Sequence, residues 1–220
     1  MATAIIFDLD GTLADSTDCV VAAAQAVGRE AGLRSVSDEE IRQRIGEPLG
    51  PMLAALFGAS GDVLAGLIAA YSTEYVRLTP TMEQPFEGAV PMLKALRAQG
   101  WKLGIATGKS QRGAEHATHR MGIDVHFDSI HGIVPGTPGK PDPAVLQRAM
   151  DALSVTAEDA IMVGDTTFDL DLSRALGVRS VAVTWGVHAV DVLASRDPAA
   201  TVSSMGSLQS WLESQFTHSP

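Results

Sequence analysis

The stretch Ile5-Ile6-Phe7-Asp8-Leu9-Asp10-Gly11-Thr12-Leu13 constrains this chain more than any other. Its apolar run is short and rich in β-branched and aromatic residues, which predicts a buried parallel strand. Asp8 and Asp10 then fall at the strand's carboxyl end, the edge where open α/β sheets hold their ligands. Two acids one residue apart repel each other unless a cation or a shared proton relieves them. A metal site, an acid/base pair, or both are expected there.

The 220 residues suffice for one large domain, or for a domain with a small insert. With 45% hydrophobic and 19% charged residues, the chain can bury a substantial core. Its net charge is −10 and it has no basic block, so nucleic acid is not an expected partner. An acidic protein that handles anions must gather positive charge locally, through lysines, a metal or backbone N–H groups. The single cysteine, Cys19, rules out an internal disulfide and reads as a small buried hydrophobe. No signal-like leader appears, and no apolar stretch approaches the ~20 residues that span a bilayer. A soluble cytoplasmic protein without a membrane partner is the expectation.

From Asp15 to Thr81 the pattern is helical. Asp15 or Ser16 can cap a helix running through Val20, Val21, Ala24, Val27 and Ala31 to Gly32. Ser37-Asp38-Glu39-Glu40 has capping-box spacing, and Gly46-Glu47-Pro48 ends that second helix. Helices over 49–57 and 62–78 follow, with Pro80 and Pro85 as closing breakers. From Gly88 the rhythm changes to α/β: helix 89–99, strand 102–106, helix 110–121, strand 129–133, helix 142–153, strand 160–163, helix 168–176 and strand 179–184. An irregular tail with a last helix near 206–216 completes the chain. Strands alternating with helices predict a parallel, Rossmann-like sheet flanked by helices. The expected division is a catalytic core of residues 1–14 and 86–220, with an all-helical cap, 15–85, inserted after the first strand.

Four polar clusters fall at strand ends or in loops on one edge of this sheet. They are Asp8 with Asp10, Thr107 with Gly108, Lys140-Pro141, and Asp165 with Asp169. Lys140 lies in a loop rich in proline and glycine, Gly136 to Pro143, and is one of only four lysines in the chain. Singly each cluster is weak; in this order and placement they form a joint signal.

With these motifs the chain resembles the phosphatases of the haloacid dehalogenase superfamily that carry a helical cap after the first strand, and phosphoglycolate-phosphatase-like members most. The matching segments are Asp8-Leu9-Asp10-Gly11-Thr12-Leu13, Thr107-Gly108, Lys140-Pro141 and Gly164-Asp165-Thr166-Thr167-Phe168-Asp169, with Ala175 and Gly177 following. The resemblance implies that Asp8 is the nucleophile, forming an aspartyl-phosphate, and that Asp10 is the general acid/base. Thr107 and the Gly108 N–H would hold phosphate oxygens, while Lys140 neutralises Asp8 and the developing charge. The implied cofactor is magnesium, with Asp8, the Asp10 backbone carbonyl and Asp165 as ligands and Asp169 as a ligand or an orienting group. Arg44 at the end of the second cap helix could hold a substrate carboxylate or second phosphate, or lie solvated on its helix. The implied partner is a small phosphorylated metabolite, handled by a monomer or homodimer. Phosphoglycolate, a sugar phosphate, a nucleotide and pyrophosphate all stay open as substrates.

The second acid separates this chain from relatives that cleave carbon–halogen or carbon–phosphorus bonds. Those lack it, and the phosphonate-cleaving kind uses a cap lysine, whereas residues 15–85 contain none. Sugar-phosphate mutases share all four motifs and are the main alternative. They carry a cap histidine soon after the first motif and a cap arginine after the second helix. Here Asp15-Ser16-Thr17-Asp18 has no histidine, and Glu47-Pro48-Leu49 follows Gly46. These departures favour hydrolysis. A catalytically silent phosphate-binding or scaffold protein is the remaining alternative, disfavoured because every catalytic position is filled.

Overall fold

The computed structural model describes residues 3–215. Strand β1 (Ala4–Phe7) is followed by a short strand β2 (Ala14–Asp15) and helices α1 (Thr17–Glu30), α2 (Asp38–Arg42), α3 (Leu49–Phe57) and α4 (Gly61–Met82). The short strand β3 (Gln84–Pro85) leads into α5 (Ala89–Ala98), β4 (Lys102–Ser110), α6 (Gln111–Arg120), β5 (Ser129–Ile133) and α7 (Ala144–Leu153). Then come β6 (Ala160–Gly164), α8 (Thr167–Leu176), β7 (Arg179–Val183), α9 (Val190–Ala194), β8 (Ala200–Val202) and α10 (Met205–Gln215). The expected end of the last helix at Phe216 lies outside the described residues.

Six strands form one parallel sheet in the order β5-β4-β1-β6-β7-β8. All four residues of β1 are buried, because the strand is central and covered on both faces. Its alternation divides the core. Ile5 and Phe7 join Leu93 and Leu96 of α5 and Leu208 and Leu212 of α10 on one face. Ala4 and Ile6 join Leu146, Ala149 and Leu153 of α7 on the other. The chain leaves β1 for β4 and β5 on one side, then returns to β6 on the other. The carboxyl ends of β1, β4 and β6 therefore meet where strand order reverses, the usual position of a ligand crevice.

Helices α1–α4 build their own apolar cluster around Val20, Ala24, Ile41, Met52, Leu53, Leu56 and Tyr71. The capping box at Ser37 is formed: its hydroxyl accepts from the Glu40 N–H, and the Glu40 carboxylate accepts from the Ser37 N–H. Strands β2 and β3 pair antiparallel where the chain enters and leaves these helices. Among the described residues no single helix is long and apolar enough to cross a membrane.

Three sequence expectations need correction. Helix α2 stops at Arg42 and not at Gly46, so Arg44 lies in the loop that follows it rather than on the helix. Pro80 does not end α4, which continues to Met82. The hydrogen bond that Pro80 cannot donate to the Val76 carbonyl is replaced by the Thr79 hydroxyl, 3.1 Å from that oxygen. The stretch expected to be irregular before the last helix contains α9 and β8, each too short to show a hydrophobic period. Leu53 is fully buried among α1–α4. Leu53→Ala should cost about 2–5 kcal/mol of stability, read as a lower denaturant midpoint at unchanged m.

Candidate active site

Asp8 follows β1 directly, and its N–H donates to the Val163 carbonyl of β6 at 2.9 Å, extending the ladder by one residue. This fixes its side chain at the carboxyl edge of the sheet. The chain then turns through Gly11, whose φ of +75° suits glycine and where a Cβ would lie 2.3 Å from Asp165 Oδ2. The turn brings the Thr12 hydroxyl to donate to Asp165 Oδ1 at 2.8 Å. The Val187 N–H donates to Asp165 Oδ2 at 3.0 Å, and the Trp185 indole N–H donates to the Thr12 carbonyl at 3.1 Å. The loop after β7 thus supports the site, a contribution with no motif to announce it.

Lys140 is buried between two carboxylates. Its Nζ lies 2.6 Å from Asp169 Oδ1 and 2.8 Å from Asp8 Oδ1. Asp169 is held from its other side at the start of α8. There Thr166 offers its N–H and hydroxyl to Asp169 Oδ2 at 3.1 and 2.7 Å, completing a capping box. Both Asp169 oxygens are therefore engaged by protein groups.

Asp8, Asp165 and Asp169 each present an oxygen within 4.8 Å of the others, and all three are buried. With Lys140 as the cation among them, the ionised cluster carries a surplus of two negative charges. Burial pushes the Asp8 carboxyl up to about 7, with Lys140 pulling the other way and Asp169 adding to the rise. Burial, with Asp8 and Asp169 close by, likewise raises Asp165 well above the usual carboxylate range. Burial alone would lower the Lys140 ammonium, but Asp169 and Asp8 more than offset it and hold the group charged. The ion pair with Lys140 is the one protein contact on Asp8 Oδ1 among the described residues. Three hard oxygen donors and a surplus of two negative charges suit a hard divalent cation.

Thr107, at 1% exposure, stands on β4 beside this cluster, with Gly108 next to it. The loop after α2 rests against them: a Cβ on Gly108 would lie 2.9 Å from the Gly46 carbonyl, and one on Gly139 only 2.0 Å from Pro48. A Cβ on Gly46 would meet Phe168 at 2.9 Å and Thr166 at 3.3 Å. The inserted helices thus press a loop onto all three core segments that carry Thr107, Lys140 and Asp165. Arg44, within this loop, is half exposed, and its Nη1 donates to Glu47 Oε1 at 3.0 Å.

Residues 5–183 match the model of the haloacid dehalogenase-like hydrolases. The chain belongs to that family. The hydrolase is 30% identical to a phosphoglycolate phosphatase of Rhodospirillum rubrum, over 96% of this chain and 91% of the relative. A haloacid dehalogenase-like hydrolase from Streptococcus pneumoniae superposes with a TM-score of 0.86 at 29% identity, over 96% of this chain and 98% of that one. A β-phosphoglucomutase from Clostridium difficile shares the fold, with a TM-score of 0.85 at 18% identity over 98% and 97% of the two chains. With a putative pyrophosphatase of Caldanaerobacter subterraneus, 29% identical over 94% of this chain and 92% of the relative, the phosphoglycolate phosphatase groups this hydrolase with the family's phosphatases.

Asp10 of the hydrolase stands outside the acid triplet. Its Oδ1 accepts from the Ser16 hydroxyl at 2.5 Å and lies 3.0 Å from Lys109 Nζ. Sequence reasoning assigned no part to Lys109, although it directly follows Thr107-Gly108 and is one of the few lysines. Its partners, Tyr75 and Glu83, lie far off in sequence.

The charge surplus has a thermal consequence. A divalent cation at about 100 times its Kd should raise the melting temperature by roughly 5–10 °C. Asp165→Asn should abolish most of this rise in the same titration.

Proposed function

We propose that this hydrolase cleaves the phosphate monoester of a small metabolite in two steps through an aspartyl-phosphate on Asp8. The observation that carries the reading is the buried Lys140, pinned between Asp8 and Asp169, with an Asp165 oxygen within 4.8 Å of theirs. In the first step Asp8 attacks phosphorus, the bond from phosphorus to the ester oxygen breaks, and Asp10 gives that oxygen a proton. In the second, Asp10 takes a proton from water, the water oxygen attacks phosphorus, and the bond to Asp8 breaks to release inorganic phosphate. Thr107 and the Gly108 N–H bind phosphate oxygens, and Lys140 keeps Asp8 anionic and oriented while offsetting charge on the phosphoryl group. Asp169 acts through Lys140, since both its oxygens already have protein partners.

Magnesium fits the donor set, with Asp8, the Asp10 carbonyl and Asp165 as its protein ligands and Asp169 beside them. When bound, it lets an anionic nucleophile approach an anionic ester. Residues 15–85 act as a cap whose 44–48 segment selects the substrate. Arg44 is already matched to a carboxylate, and a carboxylate on the substrate would take the place of Glu47. This favours an acidic ester of the phosphoglycolate kind, acted on in the cytoplasm by a monomer or homodimer.

Phosphate release from a panel of esters with magnesium tests the reading. The wild type should turn over, and Asp8→Asn should lose at least about 10³-fold in kcat. A wild type inactive across the panel would sink the proposal. So would conversion of a sugar 1-phosphate to its 6-phosphate that outruns phosphate release. Arg44→Ala should raise KM for a carboxylate-bearing ester about tenfold, a loss of about 1.4 kcal/mol, and leave a neutral ester's KM unmoved.

A further inference from the structure

Lys109 lies near the end of β4, one residue past Gly108, and it is nearly buried, with 13% of its side chain exposed. Its ammonium makes three polar contacts. Asp10 Oδ1 is at 3.0 Å, the Tyr75 hydroxyl accepts from it at 2.8 Å, and Glu83 Oε1 is at 3.6 Å. It also lies 4.3 Å from the centre of the Tyr75 ring. Burial alone would lower this ammonium, but Asp10 and Glu83 outweigh it and hold it charged.

Glu83 does not need Lys109 to be neutralised. It is fully buried, its Oε2 pairs with Arg120, and its Oε1 accepts from the Tyr75 hydroxyl at 2.6 Å. The ordering of distances therefore matters: Lys109 sits closer to Asp10 than to Glu83. Tyr75 connects the pieces in one direction, accepting from Lys109 and donating to Glu83. Both Tyr75 and Glu83 come from the end of the inserted helices, so the lysine's position is set by the insert.

The contacts on Asp10 are one-sided. Ser16 and Lys109 both engage Oδ1, and Oδ2 receives no hydrogen bond among the described residues. A carboxyl clamped at one oxygen keeps the other available for the proton it must move.

We propose that Lys109 is a positioning residue for Asp10. It clamps Oδ1, leaves Oδ2 to exchange the proton with the leaving group and then with water, and is seated by Tyr75 and Glu83. This rests on the reading of Asp10 as the acid/base. No bond to substrate is made by Lys109, so its loss should appear in the step that needs the proton and not in substrate binding.

Leaving groups separate these effects. An alkyl ester needs a proton on its departing oxygen; p-nitrophenyl phosphate barely does. First-turnover rates of alcohol and nitrophenol release would be measured with magnesium for wild type, Asp10→Asn, Lys109→Met and Tyr75→Phe. Lys109→Met should slow alkyl cleavage on the order of 10²-fold, part of the range attributed to general acids. It should keep a one-equivalent nitrophenol burst within about fivefold of wild type and shift the substrate dissociation constant, read from the concentration dependence of the burst rate, by less than about threefold. Tyr75→Phe keeps the ring and removes the lysine's neutral acceptor; it should show the same split more weakly, and it decides the question if Lys109→Met fails to fold. Equal losses on the two esters, or a weaker dissociation constant without the split, would overturn the proposal. A wild type without turnover, or an Asp10→Asn variant as fast as wild type on the alkyl ester, would instead overturn the reading beneath it.

Discussion

Lys140 and its two carboxylates are the contact on which the rest of the site depends. The ammonium joins the end of β1, the loop before α7 and the first turn of α8 at one buried point. Removing one member of a buried ion pair leaves its partner uncompensated, which costs far more than the pair gives in net stability. The arrangement is therefore all-or-none: each charge is tolerable only while the others are in place. Sheet topology makes it possible, since β1 and β6 are neighbours and deliver Asp8 and Asp165 side by side.

Around that point the electrostatics divide in two. Around Lys140 the acids outnumber the lysine, and the surplus favours a divalent cation. Around Lys109, Asp10 and Glu83 face Lys109 and Arg120, and the charges balance. A nucleophile and a proton carrier need different surroundings, and this edge of the sheet supplies both within a few residues of the same strand. Asp8 and Asp10 are two positions apart in sequence but belong to different electrostatic neighbourhoods.

The sheet and the acid cluster were legible in the sequence because each rests on a local rule. Apolar runs mark buried strands, and a polar residue at the end of such a run falls on the ligand edge. The capping box at Ser37 and the helix over residues 49–57 could be read for the same reason. Lys109, Tyr75 and Glu83 could not be joined, because their contact arises from folding α4 back against β4 and no spacing encodes it. Trp185 reads in sequence as an ordinary core or surface residue because its partner is a backbone carbonyl, and the Val187 N–H is a backbone group that no side chain announces. Pro80 misled because the rule for proline is sound, while the hydroxyl of Thr79 supplies the hydrogen bond that the proline cannot.

The antiparallel pairing of β2 with β3 has a consequence for how such a chain can vary. Ala14 faces Pro85 and Asp15 faces Gln84, so the chain leaves and rejoins the sheet at nearly one place. Whatever lies between those residues closes a loop whose ends are already together. Loop-closure entropy rises only slowly with length, so this stretch can lengthen, shorten or be exchanged without altering the strand register beneath it. The ribbon acts as a socket: the sheet keeps its geometry while the module plugged into it is replaced.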